Sequence, residues 1–303
     1  MTAKIVVVGS FNADLTSYLA RMPRPGETVH GDRFVTGAGG KGSNQAVAAA
    51  RLGAEVTFIG RVGKDVFAEL AYEIWDAEGV NRDFVSADDE VATGVAPILV
   101  DSSGENMIVV VLGANLRVQA ADIDAARARI AAADVLVTQL EINLDMTRYA
   151  LETAKQLGVA TILNPAPAAA IPQSLIDLAD YLTPNETELE TLSGSAVESA
   201  AAARGLLTRA DQRAVVTLGA QGAQIVSADE SATVPAFAVD VVDTTGAGDA
   251  FNAGLAVALA EGKPLADAVR FANAAAALCV TKPGTARSTP YRAEVEALYA
   301  QTT

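Results

Sequence analysis

The stretch VVDTTGAGDAF, residues Val241 to Phe251, decides how the rest of this 303-residue sequence is interpreted. A short β-branched run ends at Asp243, two threonines and two glycines follow, and an alanine- and leucine-rich segment begins. This order predicts a strand, a glycine turn and the start of a helix. The first N–H groups of a helix have no internal partner and lie at the positive end of its dipole, so they attract an anion.

Three residues of this stretch suggest chemistry. Gly246 and Gly248 lack a Cβ, so a bulky anion could approach the backbone closely. Asp249 places a carboxylate beside a site that otherwise favours negative charge, which is reasonable if it accepts a proton there. The stretch would then stabilise a phosphoryl group during transfer, with Asp249 as general base. The alternative is an ordinary tight turn in which Asp249 caps the helix.

The composition limits the classes of function. Half of the residues are hydrophobic and 19% are charged, so the chain can bury the core of one large α/β domain, or of such a domain with an appendage. The formal net charge of −15 argues against nucleic acid as a partner. The single cysteine, Cys279, excludes an internal disulfide, and the single histidine, His30, excludes sites that need several histidine ligands. No apolar run is long enough to span a bilayer and no signal peptide is evident, so we expect a cytoplasmic protein without a membrane partner.

Short β-branched runs alternate with helical segments along most of the chain. This alternation predicts a doubly wound, mostly parallel central sheet with helices on both faces. The predicted strands cover residues 4–10, 55–62, 135–140, 160–163, 181–182 and 214–218, with 224–227 antiparallel to the last. The predicted helices cover residues 44–52, 65–79, 145–157, 248–261, 264–279 and 292–299, with others opening near residue 122 and after residue 188. Residues 15–36 and 93–113 interrupt the alternation and predict a small separate β-sheet.

Polar residues and one glycine follow several of the predicted strands. Ligands of open α/β sheets bind at the carboxyl ends of the strands, so these residues could share one rim. They are Asn12, Lys41, Glu141, Asn185, Gly219 and Asp249. Asn12 and Asp14 could instead be turn residues that bond their own backbone. The segment Gly37–Ala46 lacks the spacing of a Walker A loop, and its four glycines in six residues indicate close backbone approach or, alternatively, a flexible loop.

Together, these motifs resemble the ribokinase-type (PfkB) family of carbohydrate kinases over nearly the whole chain. The matching motifs are GSFNAD at 9–14, PGET at 25–28, GGKGSNQA at 39–46, QLE at 139–141, NPAP at 164–167, TPNETE at 183–188 and DTTGAGD at 243–249. The resemblance implies one kinase domain over residues 1–303 that uses ATP to phosphorylate the primary hydroxyl of a free pentose such as D-ribose. It also implies a β lid, built from about 15–36 and 93–113, whose strands form a homodimer contact.

The resemblance also implies roles for individual residues. Asp14 and Asn44 would bind sugar hydroxyls, helped by Asn12, Gly40, Lys41 and Glu141. Gly246, Ala247 and Gly248 would form the anion hole, with Asp249 as base next to the sugar. Asn185 and Glu188 match a motif associated with Mg²⁺ and the nucleotide phosphates. The adenine nucleotide would contact Thr217, Gly219, Ala220, Gln221, Gly222, Gly248 and Asn273, although some family members carry His at the last position. Asp243, Thr245, Cys279, Lys282, Gly284 and Ser288 would hold a monovalent cation, K⁺, largely through backbone carbonyls.

Several alternatives stay open. Other family members phosphorylate fructose, 2-keto-3-deoxygluconate, adenosine or fructose phosphates. Lys41 is the clear basic residue on the predicted rim, which favours a neutral sugar, and the few aromatic residues near the predicted lid argue against a nucleoside. From another class, the chain could be a non-catalytic sugar or nucleotide sensor, although a pure binder has no need of a base such as Asp249.

Overall fold

Two β-sheets organise the chain in this computed structural model, which describes residues 2–194 and 199–301. The described part leaves out residue 1, residues 195–198 and residues 302–303. The two ends of the kinase domain predicted over residues 1–303 therefore lie outside it. The strands are β1 (Lys4–Val8), β2 (Asn12–Leu19), β3 (Gly31–Gly39), β4 (Glu55–Gly63), β5 (Asn81–Asp88), β6 (Gly94–Val100), β7 (Asn106–Ile108), β8 (Val135–Thr138), β9 (Ala160–Leu163), β10 (Tyr181–Leu182), β11 (Arg213–Thr217), β12 (Ala223–Val226) and β13 (Ser231–Val234).

Helices flank the larger sheet. They are α1 (Lys41–Arg51), α2 (Val66–Ala77), α3 (Ala120–Ala125), α4 (Arg127–Ala131), α5 (Leu144–Gln156), α6 (Gln173–Ile176), α7 (Glu186–Ser193), α8 (Ser199–Leu206), α9 (Ala247–Ala260), α10 (Leu265–Cys279) and α11 (Arg292–Tyr299). Short 3₁₀ turns cover Gly113–Arg117, Gly219–Gln221 and Ala286–Ser288. Within the described ranges, no helix is both long and apolar enough to cross a membrane.

The larger sheet has the strand order β13-β12-β11-β10-β9-β8-β1-β4-β5. The strands from β11 to β5 pair in parallel, and β12 and β13 are antiparallel additions at one edge. Successive residues of β1 face opposite sides: Ile5 and Val7 pack with α1, α2, α9 and α10, whereas Val6 and Val8 pack with the helices from α3 to α8. The prediction of a doubly wound sheet covered on both faces is therefore confirmed.

The small sheet has the order β3-β2-β6-β7. It contains the predicted hairpin, in which β6 and β7 are antiparallel. Two of its strands are longer than predicted, because β2 begins at Asn12 and β3 continues to Gly39. Asn12 and Asp14 therefore lie in a strand and pair with Gly39 and Gly37, and the turn interpretation of these two residues is wrong.

The glycine-rich segment before α1 is not a flexible loop. Gly37 to Gly39 finish β3, and Gly40, with a φ of 85°, is the one residue between that strand and the helix. A Cβ on Gly42 would lie 2.5 Å from the backbone nitrogen of Ser10. Because such a contact is too short for any side chain, glycine at this position lets the start of α1 pack directly on the end of β1.

One predicted strand is wrong. Val241 and Val242 lie outside any strand and are each 63% exposed. The backbone N–H groups of Val242 and Asp243 donate to the carbonyl of Val280 at the end of α10, at 2.8 and 3.2 Å. The segment is thus held by a helix end, and not by a neighbouring strand. Conversely, β5 and β13 were not predicted, because both are polar, partly exposed edge strands without a continuous apolar run.

Candidate active site

The centre of the site is the start of helix α9. Its N-cap is Gly246, which has a φ of 81° and provides no side-chain cap. Asp249 lies in the first turn but turns its carboxylate away from its own helix. Oδ2 accepts a hydrogen bond from Asn44 Nδ2 at 2.9 Å, and Oδ1 accepts one from Gln45 Nε2 at 3.0 Å. The alternative in which Asp249 caps α9 is therefore wrong, and among the described residues no side chain caps the first N–H groups of this helix. The Ala247 N–H forms only a long hydrogen bond of 3.3 Å to the carbonyl of Thr244.

Asp249 is only 7% exposed. Burial raises the pKa of its carboxyl group, while the Lys41 ammonium and the amides of Asn44 and Gln45 work in the opposite direction. Glu141 adds a further raising effect. A buried carboxylate whose pKa lies above its ordinary value accepts a proton more readily than a solvated one, which suits a general base.

Lys41, the first residue of α1, lies among carboxylates. Its backbone N–H donates to Glu141 Oε2 at 2.9 Å. Burial works to lower the pKa of its ammonium group, but Asp249, Glu141 and Glu188 together raise it. Lys41 therefore stays charged and reduces the repulsion among these acids.

The predicted sugar-binding residues surround this centre. Glu141 Oε2 also accepts from Ser10 Oγ at 2.5 Å and lies 3.5 Å from Asn12 Nδ2. Asp14 Oδ2 accepts a hydrogen bond from Thr285 Oγ1 at 3.0 Å. Burial raises the pKa of Asp14 to about 6, with the Thr285 hydroxyl opposing it and Glu141 and Asp249 adding to it.

Asn44 carries an acceptor that the protein does not use. Its Nδ2 donates to Asp249, whereas its Oδ1 is buried and accepts no hydrogen bond from the described residues. A buried amide oxygen without a partner costs free energy unless a ligand donates to it. The structure thus gathers Asn12, Asp14, Lys41, Asn44, Glu141 and Asp249 in one place, and the Oδ1 of Asn44 is a fully buried acceptor among them that stays open.

The predicted nucleotide residues form an adjoining group. Asn185 and Glu188 cap each other: Asn185 Oδ1 accepts from the Glu188 N–H, and Glu188 Oε2 accepts from the Asn185 N–H, both at 2.8 Å. Asn185 also forms a bridge to Thr217 at the end of β11, which leads into the turn Gly219–Gln221. Burial raises the pKa of Glu188, Lys41 lowers it, and Asp249 raises it, so these side chains belong to one electrostatic cluster.

Gly222 and Asn273 flank this turn. A Cβ on Gly222 would lie 2.2 Å from the carbonyl oxygen of Val234, so only glycine fits there. Asn273 Nδ2 donates to the carbonyls of Val234 and Pro235, at 3.0 and 3.1 Å. Asn273 therefore fixes the chain that packs on Gly222, and its contact with a nucleotide stays a prediction. Ala220, Gln221 and the turn residue Gly219 are exposed beside it.

The predicted cation residues also converge, directly behind α9. Asp243 Oδ1 accepts from the N–H and the hydroxyl of Thr245, at 2.9 and 2.6 Å, and its Oδ2 accepts from the N–H of Gly284 at 2.9 Å. Ser288 Oγ lies 2.7 Å from the Gly284 carbonyl and 3.1 Å from Cys279 Sγ. The side chain of Lys282 forms an ion pair with Glu294 at 2.8 Å, so only its backbone carbonyl could serve a cation.

Sequence reasoning gave no separate role to several polar residues of the site. They are Ser10, Gln45, Asn115, Gln139, Asn164 and Thr285. Four of them lie within or next to the matching motifs, but their burial is visible only in the fold. Asn115, whose Nδ2 donates to Asn12 Oδ1 at 2.9 Å, gives no sequence signal, because it sits in a 3₁₀ turn far along the chain.

The chain is similar to known proteins over almost its whole length. The family model for pfkB family carbohydrate kinases matches residues 2–292. The chain is 40% identical over 298 residues to the ribokinase of Haemophilus influenzae, covering 97% of each chain. It is 39% identical over 291 residues to the deoxyribokinase of Salmonella typhi, covering 94% of this chain and 95% of the relative.

A solved structure shares the whole fold. The ribokinase of Arabidopsis thaliana, determined in complex with ribose and ATP, superimposes with a TM-score of 0.91 at 34% identity and covers 100% of both chains. The predicted family and fold are thereby confirmed. The chain belongs to the pfkB family of carbohydrate kinases, phosphotransferases that act on an alcohol group.

Proposed function

We propose that this kinase transfers the γ-phosphoryl group of ATP to the primary hydroxyl of ribose. The observation that carries the proposal is the pairing of a buried, amide-held carboxylate, Asp249, with the uncapped start of α9. Support for the substrates comes from the names of the relatives, a ribokinase at 40% identity and a ribokinase structure with ribose and ATP.

The geometry suits each part of the reaction. The sugar oxygen forms a bond to the γ-phosphorus, the bond from that phosphorus to the bridging oxygen of ADP breaks, and the hydroxyl proton passes to Asp249. The N–H groups of Ala247 and Gly248 stabilise the charge on the equatorial oxygens. Asp14 and the open Oδ1 of Asn44 hold other sugar hydroxyls, so that the primary hydroxyl faces Asp249. In this arrangement Lys41 also attracts the phosphate charge.

Deoxyribose is the second candidate substrate, because a deoxyribokinase is nearly as similar to the chain as the ribokinases. Coupled ADP-release assays with ribose, 2-deoxyribose, fructose and adenosine separate the possibilities, with the position of the phosphate read by ³¹P NMR. We expect the highest kcat/KM with ribose and a 5-phosphate product. A higher value with 2-deoxyribose would reassign the substrate, and one with fructose or adenosine would overturn the proposal of a pentose.

Mg²⁺ would neutralise charge on the ATP phosphates next to Asn185 and Glu188. Glu188 fits this role because it is 7% exposed and its carboxylate lies close enough to Lys41 and Asp249 to interact with both electrostatically. Its Oε2 is used by the Asn185 N–H, which leaves Oε1 for water or phosphate-bound metal.

K⁺ would occupy the site behind α9. The donor set fits a large monovalent cation: the backbone carbonyls of Thr245 and Gly284 and one carboxylate, Asp243, supply hard oxygens but a single negative charge. A cation there would fix the turn Thr244 to Gly248 and raise kcat more than affinity. Initial rates against K⁺ at constant ionic strength test this. Activation that disappears in Asp243→Ala supports the site, and rates indifferent to K⁺ contradict it.

The small sheet is proposed as both lid and dimer contact. It covers the sugar side of the site through Asn12 and Asp14, and beyond that edge its last strand and the following residues expose Met107 to Val111, each between 46% and 62% exposed. An apolar patch of this kind favours a second copy of the chain. Sedimentation should give a dimer, and Val109→Asp should shift it to a monomer; a monomeric parent protein would contradict the contact. We also propose cytoplasmic activity, since ATP is supplied there.

A further inference from the structure

A chain of buried amides leads from Asp249 into the core. Gln45 Nε2 donates to Asp249 Oδ1 at 3.0 Å and to Asn164 Oδ1 at 3.1 Å. Gln45 Oε1 accepts from Gln139 Nε2 at 2.6 Å. Asn164 Nδ2 donates in turn to the carbonyl of Thr183 at 3.0 Å. Gln45 and Gln139 are at most 1% exposed, and Asn164 is 6% exposed.

The hydrogen-bond partners fix the direction of the Gln45 amide, whereas the Oε1 of Gln139 is buried and accepts no hydrogen bond from the described residues. A carboxylate only accepts hydrogen bonds, so Gln45 must present its NH₂ group to Asp249 and its carbonyl oxygen to the opposite side. That oxygen needs a donor, and Gln139 supplies it. If the Gln45 amide were reversed, its oxygen would face the carboxylate oxygen and both would be destabilised.

We propose that Gln45 is a positioning residue for the catalytic base and that Gln139, whose side chain forms its one hydrogen bond among the described residues to Gln45, keeps the Gln45 amide in the productive direction. The proposal rests on the proposed function of Asp249 as base. The amide pair Asn44 and Gln45 holds the two oxygens of the carboxylate from one side, on helix α1. The carboxylate therefore cannot rotate to cap α9, and it stays in place to receive the sugar proton.

The same contacts influence the pKa of Asp249 and therefore the pH range in which it is charged. The Gln45 amide lowers the pKa of Asp249 against the effect of burial, in company with the Lys41 ammonium and Asn44. Glu141 faces Asp249 as well, and Asp14, Glu188 and Cys279 interact with it electrostatically. Removing the Gln45 donor leaves these charges unchanged, so the pKa of Asp249 should rise and the base should be protonated at higher pH.

The test uses the full chain with Mg²⁺ and saturating ribose, varies the ATP concentration, and measures kcat and the KM for ATP against pH. Gln45→Met keeps the length of the side chain but removes the donor. We expect the rate at neutral pH to fall roughly 10- to 100-fold, and the acid limb of the profile to move up by about one pH unit, with little change in the KM for ATP. Gln139→Met should move the acid limb in the same direction by a smaller amount.

Gln212→Met is the matched control. Gln212 is an equally buried glutamine whose Nε2 donates to the carbonyls of Ile176 and Ala179, away from the site. This variant should lose stability but keep the wild-type pH profile. A Gln45→Met profile that superimposes on the wild type, or a rate loss shared by Gln212→Met, would overturn the proposal. If Gln45→Met fails to fold, Gln139→Met decides by the same criterion.

The outcomes also separate this proposal from the one it rests on. If Asp249→Asn abolishes turnover while Gln45→Met and Gln139→Met have wild-type profiles, the base stands and the positioning role is wrong. If Asp249→Asn retains its turnover, the proposed base itself is wrong.

Discussion

Helices α2 and α9 both begin beside an aspartate, but they use it in opposite ways. At α2, Asp65 is the N-cap, and its Oδ1 accepts from the N–H groups of Phe67 and Ala68, both at 3.1 Å. At α9, Gly246 is the N-cap and Asp249 bonds two side chains of α1 instead. The first helix end is closed by its own carboxylate, and the second is left open.

The difference shows where the chain gives up local stability for function. A side-chain cap at a helix N-terminus stabilises a protein by about 0.5–2 kcal/mol, and α9 lacks one. The N–H groups of Gly248 and Asp249 remain available to an anion, and that of Ala247 forms only a long hydrogen bond of 3.3 Å to the carbonyl of Thr244, with the positive end of the helix dipole behind all three. Four substitutions test this comparison, from the largest expected effect to the smallest.

Asp249→Asn should have the largest effect. The amide can keep the shape of the side chain but cannot accept the hydroxyl proton, so we expect kcat to fall by about 10²–10⁴-fold while calorimetry still shows ATP binding. Circular dichroism serves as the control for folding. If the variant keeps more than about a tenth of the wild-type kcat, Asp249 is not the general base. The two helix ends would then not differ in the chemical role of their aspartates.

Gly248→Ala should separate stability from activity. A Cβ at this position meets no protein atom within 4 Å, so the substitution should stabilise α9 by about 0.5–1 kcal/mol. It should also push the phosphate away from the N–H groups and lower kcat on the order of 10²-fold. Gly205→Ala, in α8, meets the same open space and is the matched control, with a similar gain and unchanged kcat. Equal kcat in both variants would argue against an anion at α9.

Asp14 is a third aspartate for this comparison, and the side-chain group that donates to its carboxylate is the hydroxyl of Thr285. Burial raises the pKa of its carboxyl group to about 6 in the folded protein, above its value of about 3.9 in the unfolded chain. The protonated form therefore stabilises the fold below the unfolded value, and this stabilisation is lost as the pH rises through about 6.

Asp14→Asn should consequently raise the free energy of unfolding at pH 8, by up to about 3 kcal/mol, and have little effect at pH 4. The same variant should bind the sugar more weakly, because a charged acceptor is lost. Urea titrations at the two pH values measure the stability. A gain of equal size at both would show that the charge of Asp14 is not its cause.

Asp65→Ala should have the smallest effect on activity. The lost cap, together with the lost hydrogen bond from the Thr93 N–H to Asp65 Oδ2 at 2.8 Å, should lower the free energy of unfolding by about 1–3 kcal/mol and leave kcat within about three-fold of the wild type. Thermal unfolding and a steady-state assay are sufficient. A loss of activity comparable with that of Asp249→Asn would mean that α2, too, contributes to the chemistry.

Much of the fold follows from the sequence because buried parallel strands are short apolar runs. Lys4–Val8 and Ala160–Leu163 are of this kind, and both lie in the centre of the large sheet. Edge strands such as Asn81–Asp88 carry no such run and were missed. Val241 and Val242 gave the opposite error, since β-branched residues favour a strand only where a neighbouring strand is available.

The gathering of the sugar-side residues and the base was also predictable from motif positions at strand ends. Their orientations were not. Nothing in the sequence indicates that the Asp249 carboxylate turns toward α1, because Asn44 and Gln45 are about 200 positions away. The contact between Thr285 and Asp14 likewise joins the two ends of the chain and depends on the tertiary fold.

Amide hydrogen exchange tests the central claim most directly, since it compares the two helix ends in one experiment. It would be measured with and without ADP, aluminium fluoride, Mg²⁺ and ribose, which together imitate the transferring phosphoryl group. The open helix end predicts that exchange slows at least about ten-fold at Ala247 to Asp249 and stays unchanged at Val66 to Ala68. Unchanged exchange at Ala247 to Asp249, or equal slowing at both helix ends, would contradict it.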